Sequence, residues 1–282
     1  MTLPQYLYKY RAVSNDQDRE WLEQILREGS FYARCPEQLD DPFDFSPLLE
    51  RTTNEDAFRC WLSEDLQASG RMLPGETLAE AVEREFTYHY PPSRSYVELV
   101  EGRFRSRLNS AGVICFSANC DSLLMWSLYA DSHMGVCVEL ATQKIACESH
   151  RAANSPEFRP VTYQRERPRV RLFGRVRELH QRSSLTKPLE WEYQQEWRLV
   201  LESTLDSGKL PQTVSLGKES ISSLTLGARM NVSERARLVK LVKAIAPQAA
   251  VYQAQKSEEL FAMGARALIY APQEAPHAVL PS

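Results

Sequence analysis

The chain has 282 residues, of which 43% are hydrophobic and 25% are charged, and its formal net charge is −3. This length is enough to bury a substantial core in one large domain or two small ones. The composition shows no overall preference for nucleic acid, and no apolar run approaches the roughly 20 residues that a membrane-spanning helix needs.

The N-terminal residues and the cysteines bear on the cell compartment. Residues 1–11 include charged side chains and no apolar segment of the kind found in signal peptides. Cys115 and Cys120 are the closest cysteine pair, and neither a second pair nor a histidine at metal-ligand spacing accompanies them. We therefore expect a cytoplasmic protein with buried, reduced thiols, no disulfide framework and no metal site.

The first part of the chain predicts strands around a mainly helical region. Residues 7–11 alternate in the manner of a strand. The segment Ser14-Asn15-Asp16 is suited to cap a following helix, and Gly29 is suited to close it. A short strand is expected at 31–33. The apolar periodicity then predicts three helices, near residues 54–68, 77–88 and 94–108.

The remainder of the chain predicts mostly strands. Buried strands are expected at 112–117 and 135–140, with a helix capped by Asp121 between them. A polar loop is expected at 142–160. The later elements are predicted as a short strand at 160–163, strands at 197–201 and 222–226, a helix at 233–245 and a strand at 250–255. A further apolar segment lies at 267–270.

These elements predict one fold class. Because the chain has no internal repeat and no linker-like composition, we predict a single α+β domain over residues 1–270. A mainly antiparallel central sheet flanked by helices should include the first strand, with a helical insertion at about 47–110. Residues 271–282 contain three prolines and no periodicity, which predicts a disordered tail.

The most informative segment is Trp191-Glu192-Tyr193-Gln194-Gln195-Glu196-Trp197-Arg198, which precedes an apolar run. In a strand, Gln194, Glu196 and Arg198 would share one face. Polar side chains at the start of a buried strand need hydrogen-bond or ion-pair partners, so they indicate either a structural ion pair or a functional site. In the structural interpretation, Glu196 would pair with Arg11 at the end of a sheet.

An aromatic pair and a histidine follow the strand at 112–117. Trp126 and Tyr129 would share a helix face, and His133 lies beyond the helix end. This set could stack on a nicotinamide or adenine ring, with His133 bonded to a ribose. Alternatively, the aromatic rings belong to the core and His133 caps the helix.

A local excess of positive charge contrasts with the net charge of −3. Residues 165–187, which we call the basic strip, hold eight basic side chains and two glutamates. The strip predicts either a solvated surface or a binding surface for RNA, DNA or a phosphate-bearing ligand. Its basic residues are Arg165, Arg167, Arg169, Arg171, Arg175, Arg177, Arg182 and Lys187.

Several motifs occur together in the order found in a bacterial family. They are Tyr8-Lys9-Tyr10-Arg11, Asp41-Pro42-Phe43-Asp44, Cys115-Phe116-Ser117, the block from Leu124 to Val136, Lys187, and residues 191–198. The chain resembles the family known as domain of unknown function 2971 over roughly residues 6–260. It departs from the family pattern at Asp40, where asparagine is usual, and at Gln194, where glutamate is usual.

The order of these elements is also similar to the layout of ADP-ribosyltransferases. This resemblance implies an NAD-using enzyme in which Arg11 holds the diphosphate or ribose, Ser117 braces the site, and Glu196 stabilises an oxocarbenium-like transition state. Gln194 would help select the acceptor. The implied catalytic residues are Glu196 and Gln194, and the implied cofactor-binding residues are Arg11, Tyr10, Ser117, Trp126, Tyr129, His133 and Arg198.

Two hypotheses of different classes follow. In the first, the protein is an ADP-ribosyltransferase-like enzyme or NAD glycohydrolase and, by analogy with similar bacterial proteins, a toxin or phage-defence effector. In the second, it is a non-catalytic module that binds a nucleotide, or binds nucleic acid through the basic strip. The enzyme hypothesis requires Arg11, Ser117 and Glu196 to converge in one cleft. It predicts that Glu196→Gln leaves folding nearly intact while NAD cleavage falls by a factor of about 10²–10³.

Overall fold

A computed structural model describes residues 2–145, 157–201, 213–264 and 266–272. The architecture is α+β, as predicted, and is built on a large mixed sheet. The polar loop predicted at 142–160 lies partly outside the described ranges. The tail predicted at 271–282 lies outside them from residue 273 onward.

The predicted helices and most of the predicted strands occur in the predicted order, and further elements that were not predicted lie at 48–50, 169–171, 176–184, 186–188 and 213–215. The strands are β1 (Tyr6–Arg11), β2 (Ser30–Tyr32), β3 (Leu48–Glu50), β4 (Gly112–Ser117), β5 (Val136–Ala141), β6 (Phe158–Pro160), β7 (Thr162–Gln164), β8 (Arg169–Arg171), β9 (Thr186–Pro188), β10 (Glu196–Leu201), β11 (Thr213–Ser215), β12 (Ile221–Leu226), β13 (Ala250–Gln253) and β14 (Ala267–Tyr270). The α-helices are α1 (Asp16–Glu28), α2 (Glu55–Ser69), α3 (Leu78–His89), α4 (Arg94–Asn109), α5 (Leu123–Tyr129), α6 (Val176–Ser184) and α7 (Val232–Ile245).

Eight strands form the central sheet, in the order β14-β13-β12-β5-β1-β4-β10-β6. Every neighbouring pair is antiparallel except β12 and β13, which are parallel. The first strand, β1, lies between β5 and β4 near the middle of the sheet. The predictions of a mainly antiparallel sheet and of its inclusion of the first strand are therefore confirmed.

The short strand predicted at 160–163 is wrong, because two strands of different sheets meet there. β6 ends at Pro160 on the edge of the central sheet. Proline has no backbone N–H, and an edge strand tolerates this because its outer side forms no hydrogen bonds to another strand. β7 starts at Thr162 and pairs in parallel with β9. Val161, between them, donates its N–H to the carbonyl of Glu196. The chain therefore changes sheets within one residue, a step that apolar patterning does not reveal.

The helix caps were predicted correctly for α1 but not for α5. Asn15 accepts the N–H of Asp18, and Gly29 ends α1 in the left-handed conformation (φ 67°). A Cβ at Gly29 would lie 2.3 Å from the carbonyl carbon of Gly217, so this close approach also requires glycine. The N-cap of α5 is Ser122 rather than Asp121. Serine and aspartate cap about equally well, so composition alone could not choose between them.

Two apolar cores lie against the sheet and share β4. One contains Ile114 and Phe116 with residues of α1 and α7, and the other contains Val113 with residues of α2 and α4. The region predicted as a helical insertion, 47–110, holds α2, α3 and α4, but it begins with β3, which pairs with β8. Because neighbouring residues of β4 enter different cores, this strand joins the helical region to the sheet.

The described part of the chain contains no helix that is both long and apolar enough to cross a membrane. Five cysteines lie within the described ranges, and all five are free thiols. Cys137 is buried, as predicted, whereas Cys35 and Cys60 are exposed. The prediction of buried thiols is therefore wrong for those two, because apolar sequence neighbours do not determine which face of an element meets solvent.

Candidate functional site

The central sheet opens between β1 and β4. β1 pairs with β5 over all six of its residues, but its ladder with β4 consists of one residue pair, Tyr8 with Ser117. Farther along β4, Arg34 takes the place of β1: its N–H and carbonyl both bond to Val113, at 2.9 and 2.8 Å. A cleft of about 640 Å³ lies at this opening. That volume is within the range of small-molecule binding sites.

Residues from three strands of the sheet meet at this cleft. Arg11 comes from β1, Ser117 from β4 and Glu196 from β10, and all three line the cleft. Sheet register explains part of the convergence, because Ser117 lies opposite both Tyr8 and Glu196. The convergence that the enzyme hypothesis requires is therefore present. The other predicted residues in the lining are Tyr10, Tyr129 and Gln194.

Glu196 belongs to a buried group that we call the ion quartet: Asp44, Lys187, Glu196 and Arg198. The terminal nitrogens of Arg198 each lie 2.7 Å from an oxygen of Asp44, and its Nε lies 2.7 Å from Glu196. Lys187 Nζ donates to Glu196 at 2.8 Å and lies 3.6 Å from Asp44. The two positive and two negative charges of the quartet sum to zero, which reduces the free-energy cost of burying these side chains.

Two members of the quartet, Glu196 and Arg198, have pKa values that favour their charged forms. Burial raises the pKa of Glu196, but Arg198 and Lys187 outweigh burial and lower it to about 2. Burial lowers the pKa of Arg198, but Glu196 and Asp44 raise it well above its usual value. A structural ion pair therefore exists at Glu196, as one interpretation proposed. Its partners are Arg198 and Lys187, and not Arg11.

Gln194 connects the quartet to the cleft. The strand prediction placed it on the face of Glu196, but it ends a 3-10 helix, and Gln195 follows in the left-handed conformation (φ 43°). Its Oε1 nevertheless accepts from Lys187 at 2.8 Å, and its Nε2 donates to the Tyr129 hydroxyl at 2.8 Å. The side chain reaches the site through a turn that strand periodicity could not predict.

Trp126, His133 and Arg198 were predicted ligand contacts, but they lie outside the cleft lining. Trp126 is buried, packs edge-on against Tyr10 at 5.2 Å, and donates its indole N–H to the carbonyl of Cys120. His133 stacks on Trp126, with ring centroids 6.4 Å apart. Arg198 is 0% exposed. The structure thus places these side chains in packing and ion-pair roles: α5 turns Trp126 inward, β10 turns Arg198 inward, and half-buried His133 follows α5 in the left-handed conformation (φ 70°).

A group of cations also lines the cleft, and of its three members the sequence analysis identified Arg11 but not Lys9 or Arg34. We call Lys9, Arg11 and Arg34 the cation triad. Lys9 Nζ donates to the Cys115 carbonyl at 2.7 Å, and the Arg11 guanidinium lies 5.1 Å from the Trp21 ring centroid. Among the residues that the structure describes, the triad forms no ion pair, unlike the quartet. A partial signal for Lys9 was present in the sequence, since Lys9 and Arg11 alternate with tyrosines on β1.

The charged forms of Lys9 and Arg11 are disfavoured in the cleft. Burial lowers the pKa of Lys9 to about 8, and Arg11 and Arg34 act in the same direction. Burial and Arg34 likewise lower the pKa of Arg11. Glu196 near Lys9 and Asp18 near Arg11 oppose these shifts but do not outweigh them. An anion among the three cations would relieve the remaining repulsion, so the triad has the electrostatic character of an anion site.

The cleft lining also carries an acceptor without a partner. Asp41 is 8% exposed, and its Oδ1 accepts the N–H of Phe43 at 2.9 Å, whereas its Oδ2 has no hydrogen-bond partner. A ligand hydroxyl would satisfy this buried oxygen. No group of three or more histidine, cysteine, aspartate or glutamate side chains in the described ranges is arranged to hold a metal ion.

The basic strip is divided between different environments. Lys187 belongs to the ion quartet, and Arg167 donates to the carbonyl of Ser46 at 2.9 and 2.6 Å. A separate groove of about 590 Å³ is lined by Arg169, Arg171, Arg175 and Arg182 together with Glu50 and Glu178. Two of these arginines lie 3.8 and 3.9 Å from the glutamates. Nucleic-acid binding by the strip stays a prediction.

The fold and the site define an α+β protein whose central sheet opens into a cleft with one cationic group and one charge-balanced group. Residues 125–199 match the model of a family described as Protein of unknown function (DUF2971). The matched stretch contains Tyr129 and three members of the ion quartet, and it supports the family resemblance. No curated protein and no solved structure matches the chain.

Proposed function

We propose that the cleft binds a nucleotide that carries a diphosphate, and that NAD is the ligand. The cation triad carries this proposal, because clustered cations without carboxylate partners among the described residues line a cleft of nucleotide size. An arginine fork suits phosphate oxygens, and a lysine adds a compact point charge. The triad supplies both kinds of group.

Two further features of the lining suit a nucleotide better than a simple anion. The rings of Trp21, Tyr10 and Tyr129 offer surfaces against which a planar base could pack. Asp41 Oδ2 is a buried acceptor suited to a ribose hydroxyl. A nucleotide combines phosphate, hydroxyl and ring, whereas inorganic phosphate would engage the triad alone.

A second function, cleavage of NAD with transfer of ADP-ribose, is favoured by the convergence of Arg11, Ser117 and Glu196 in one cleft. Glu196 would stabilise positive charge developing on the nicotinamide ribose. Lys187 and Arg198 already engage both of its oxygens, which weakens that stabilisation. We therefore propose nucleotide binding as the primary function. A toxin or phage-defence role would depend on the second.

Arg11→Ala is expected to weaken NAD binding by about 10- to 100-fold, since hydrogen bonds to charged groups contribute about 1.5–3 kcal/mol. Isothermal titration calorimetry with NAD, ADP-ribose and ADP measures the change. The matched control is Arg94→Ala, because Arg94 is 94% exposed on α4 and lies outside the cleft lining. The control should bind like the unaltered protein. Failure of the unaltered protein to bind any of the three nucleotides would refute the proposal.

Nucleotide affinity is expected to fall as the pH rises through about 8, where Lys9 loses its proton. The groups facing Lys9 are Cys115, Arg11, Arg34 and Glu196. A bound diphosphate would favour the charged amine, so the complex should take up a fraction of a proton at neutral pH. Titrations in buffers of different ionisation enthalpy measure that uptake. Lys9→Met should remove the pH dependence near 8, and an unchanged dependence would assign it to another group.

A further inference from the structure

The cleft contains two lysines in opposite environments. Lys187 Nζ lies 2.8 Å from Glu196 and 3.6 Å from Asp44, so carboxylates compensate its charge. Lys9 Nζ donates to the backbone carbonyl of Cys115 and lies 5.7 Å from the centroid of the Phe116 ring. Its charged neighbours in the triad are arginines. Lys9 therefore has one hydrogen-bond acceptor, a backbone carbonyl, and no ion pair among the described residues, although Glu196 partly offsets the repulsion from the two arginines. It lies in the lining of a cleft that a ligand can enter.

We propose that Lys9 is a reactive amine that condenses with the aldehyde of a phosphate-bearing ligand to form an imine. The Nζ lone pair adds to the carbonyl carbon while the carbonyl π electrons move to oxygen. The resulting carbinolamine loses water, whose hydrogens come from the amine, and a carbon–nitrogen double bond remains. The step requires no oxidant or reductant. The only co-reactant is the aldehyde itself.

The neutral amine that this addition needs is available at Lys9. Burial, together with Arg11 and Arg34, lowers the pKa of Lys9 to about 8. In the ligand-free protein, about one molecule in ten then carries the neutral amine at pH 7, roughly two orders of magnitude more than for an ordinary lysine with a pKa of about 10.4. A bound phosphate lowers this fraction, and Arg11 and Arg34 oppose that effect. Desolvated lysines beside other cations are activated in this way for imine chemistry.

The triad also defines the class of aldehyde. Arg11 and Arg34 would hold a phosphate beside the amine, which favours reaction by proximity. A sugar whose ring opens to an aldehyde and which carries a phosphate or diphosphate has both features. The inference rests on the proposed function only in using the same cationic wall, so the two can be tested separately.

The test uses the full chain with pyridoxal 5′-phosphate, an aldehyde that carries a phosphate, followed by borohydride reduction and peptide mass spectrometry. We expect Lys9 to be labelled at least about tenfold faster than Lys187 and the other lysines at neutral pH, reflecting its larger neutral fraction. Pyridoxal, which lacks the phosphate, should label Lys9 more slowly. Lys9→Arg should lose the label at this position while keeping a cation there.

The outcomes separate this inference from nucleotide binding. Labelling of surface lysines with Lys9 left unmodified would overturn the inference, whatever calorimetry shows for NAD. Preferential labelling of Lys9 in a protein that binds no nucleotide would support the inference and refute the proposed function alone. If both hold, NAD should protect Lys9 from the label, because the two ligands would compete for the same cations.

Discussion

Replacing Arg198 with methionine is expected to destabilise the protein by about 3–5 kcal/mol, the range for removing one partner of a buried ion pair. Arg198 is 0% exposed and bonds Asp44, Glu196 and the carbonyl of Ser184. Without it, Lys187 alone would face two buried carboxylates, and one negative charge would remain uncompensated. Chemical denaturation monitored by circular dichroism measures the loss.

The matched control for this variant is Arg94→Met, which removes an exposed ion pair with Glu98. Such a pair within a helix contributes only about 0.3–0.5 kcal/mol, so the control should unfold almost like the unaltered protein. A second control, Asp44→Asn with Arg198→Met, leaves Lys187 and Glu196 as a balanced pair. It should be less destabilised than the sum of its single substitutions. A loss from Arg198→Met no larger than that of Arg94→Met would contradict a structural role for the quartet.

Glu196→Gln is expected to lower NAD cleavage by a factor of about 10²–10³, the effect of losing one preorganised stabilising group. It should also destabilise the fold by about 1.5–3 kcal/mol, because Lys187 and Arg198 each lose a charged acceptor. This second effect revises the sequence-based expectation of nearly intact folding. Assays of NAD consumption below the melting temperature of the variant separate turnover from unfolding.

The double variant Lys187→Met with Glu196→Gln separates charge balance from chemistry. It leaves Arg198 facing Asp44 as a neutral pair, so part of the lost stability should return. NAD cleavage should remain low, since no carboxylate is left at position 196. Recovery of both stability and activity would mean that Glu196 acts only as a counter-ion, and the second function would then fail. Normal turnover by Glu196→Gln alone would have the same consequence.

An acid titration gives an independent measure of the quartet. The pKa of Glu196 in the folded state is about 2, below the value of about 4.3 for an unperturbed glutamate. A lowered pKa means that Glu196 contributes stability above pH of about 4.3 and that this contribution is lost as the pH falls toward 2. Removal of the carboxylate in Glu196→Gln should therefore flatten the acid side of the stability profile.

Short-range sequence patterns were sufficient to predict the secondary-structure elements next to the site. The alternation in residues 7–11 located β1, and Asn15 and Gly29 marked the ends of α1. These features depend on neighbouring residues, so one chain segment contains all the information they need. The same holds for the shared face of Glu196 and Arg198 on β10, which follows from the period of a strand.

Short-range sequence patterns could not predict which residues from distant segments of the chain contact one another. Asp44 and Arg198 lie far apart in the chain, and several partners were possible for each charge at a strand end. The sequence suggested Arg11 as the partner of Glu196. β1 and β4 share only the pair Tyr8 with Ser117, however, and the structure instead groups Arg11 with Lys9 and Arg34 beside the cleft.

By itself, the sequence determined the α+β class, the order of the elements and the polar character of the Gln194–Arg198 segment, because periodicity and capping act over a few residues. Only the tertiary structure decided which charges neutralise one another and which remain available to a ligand. The ladder between β1 and β4 stops after one residue pair, and the cation triad and three members of the ion quartet line the cleft at that opening. Burial then lowers the pKa of Lys9, while ion pairing lowers that of Glu196.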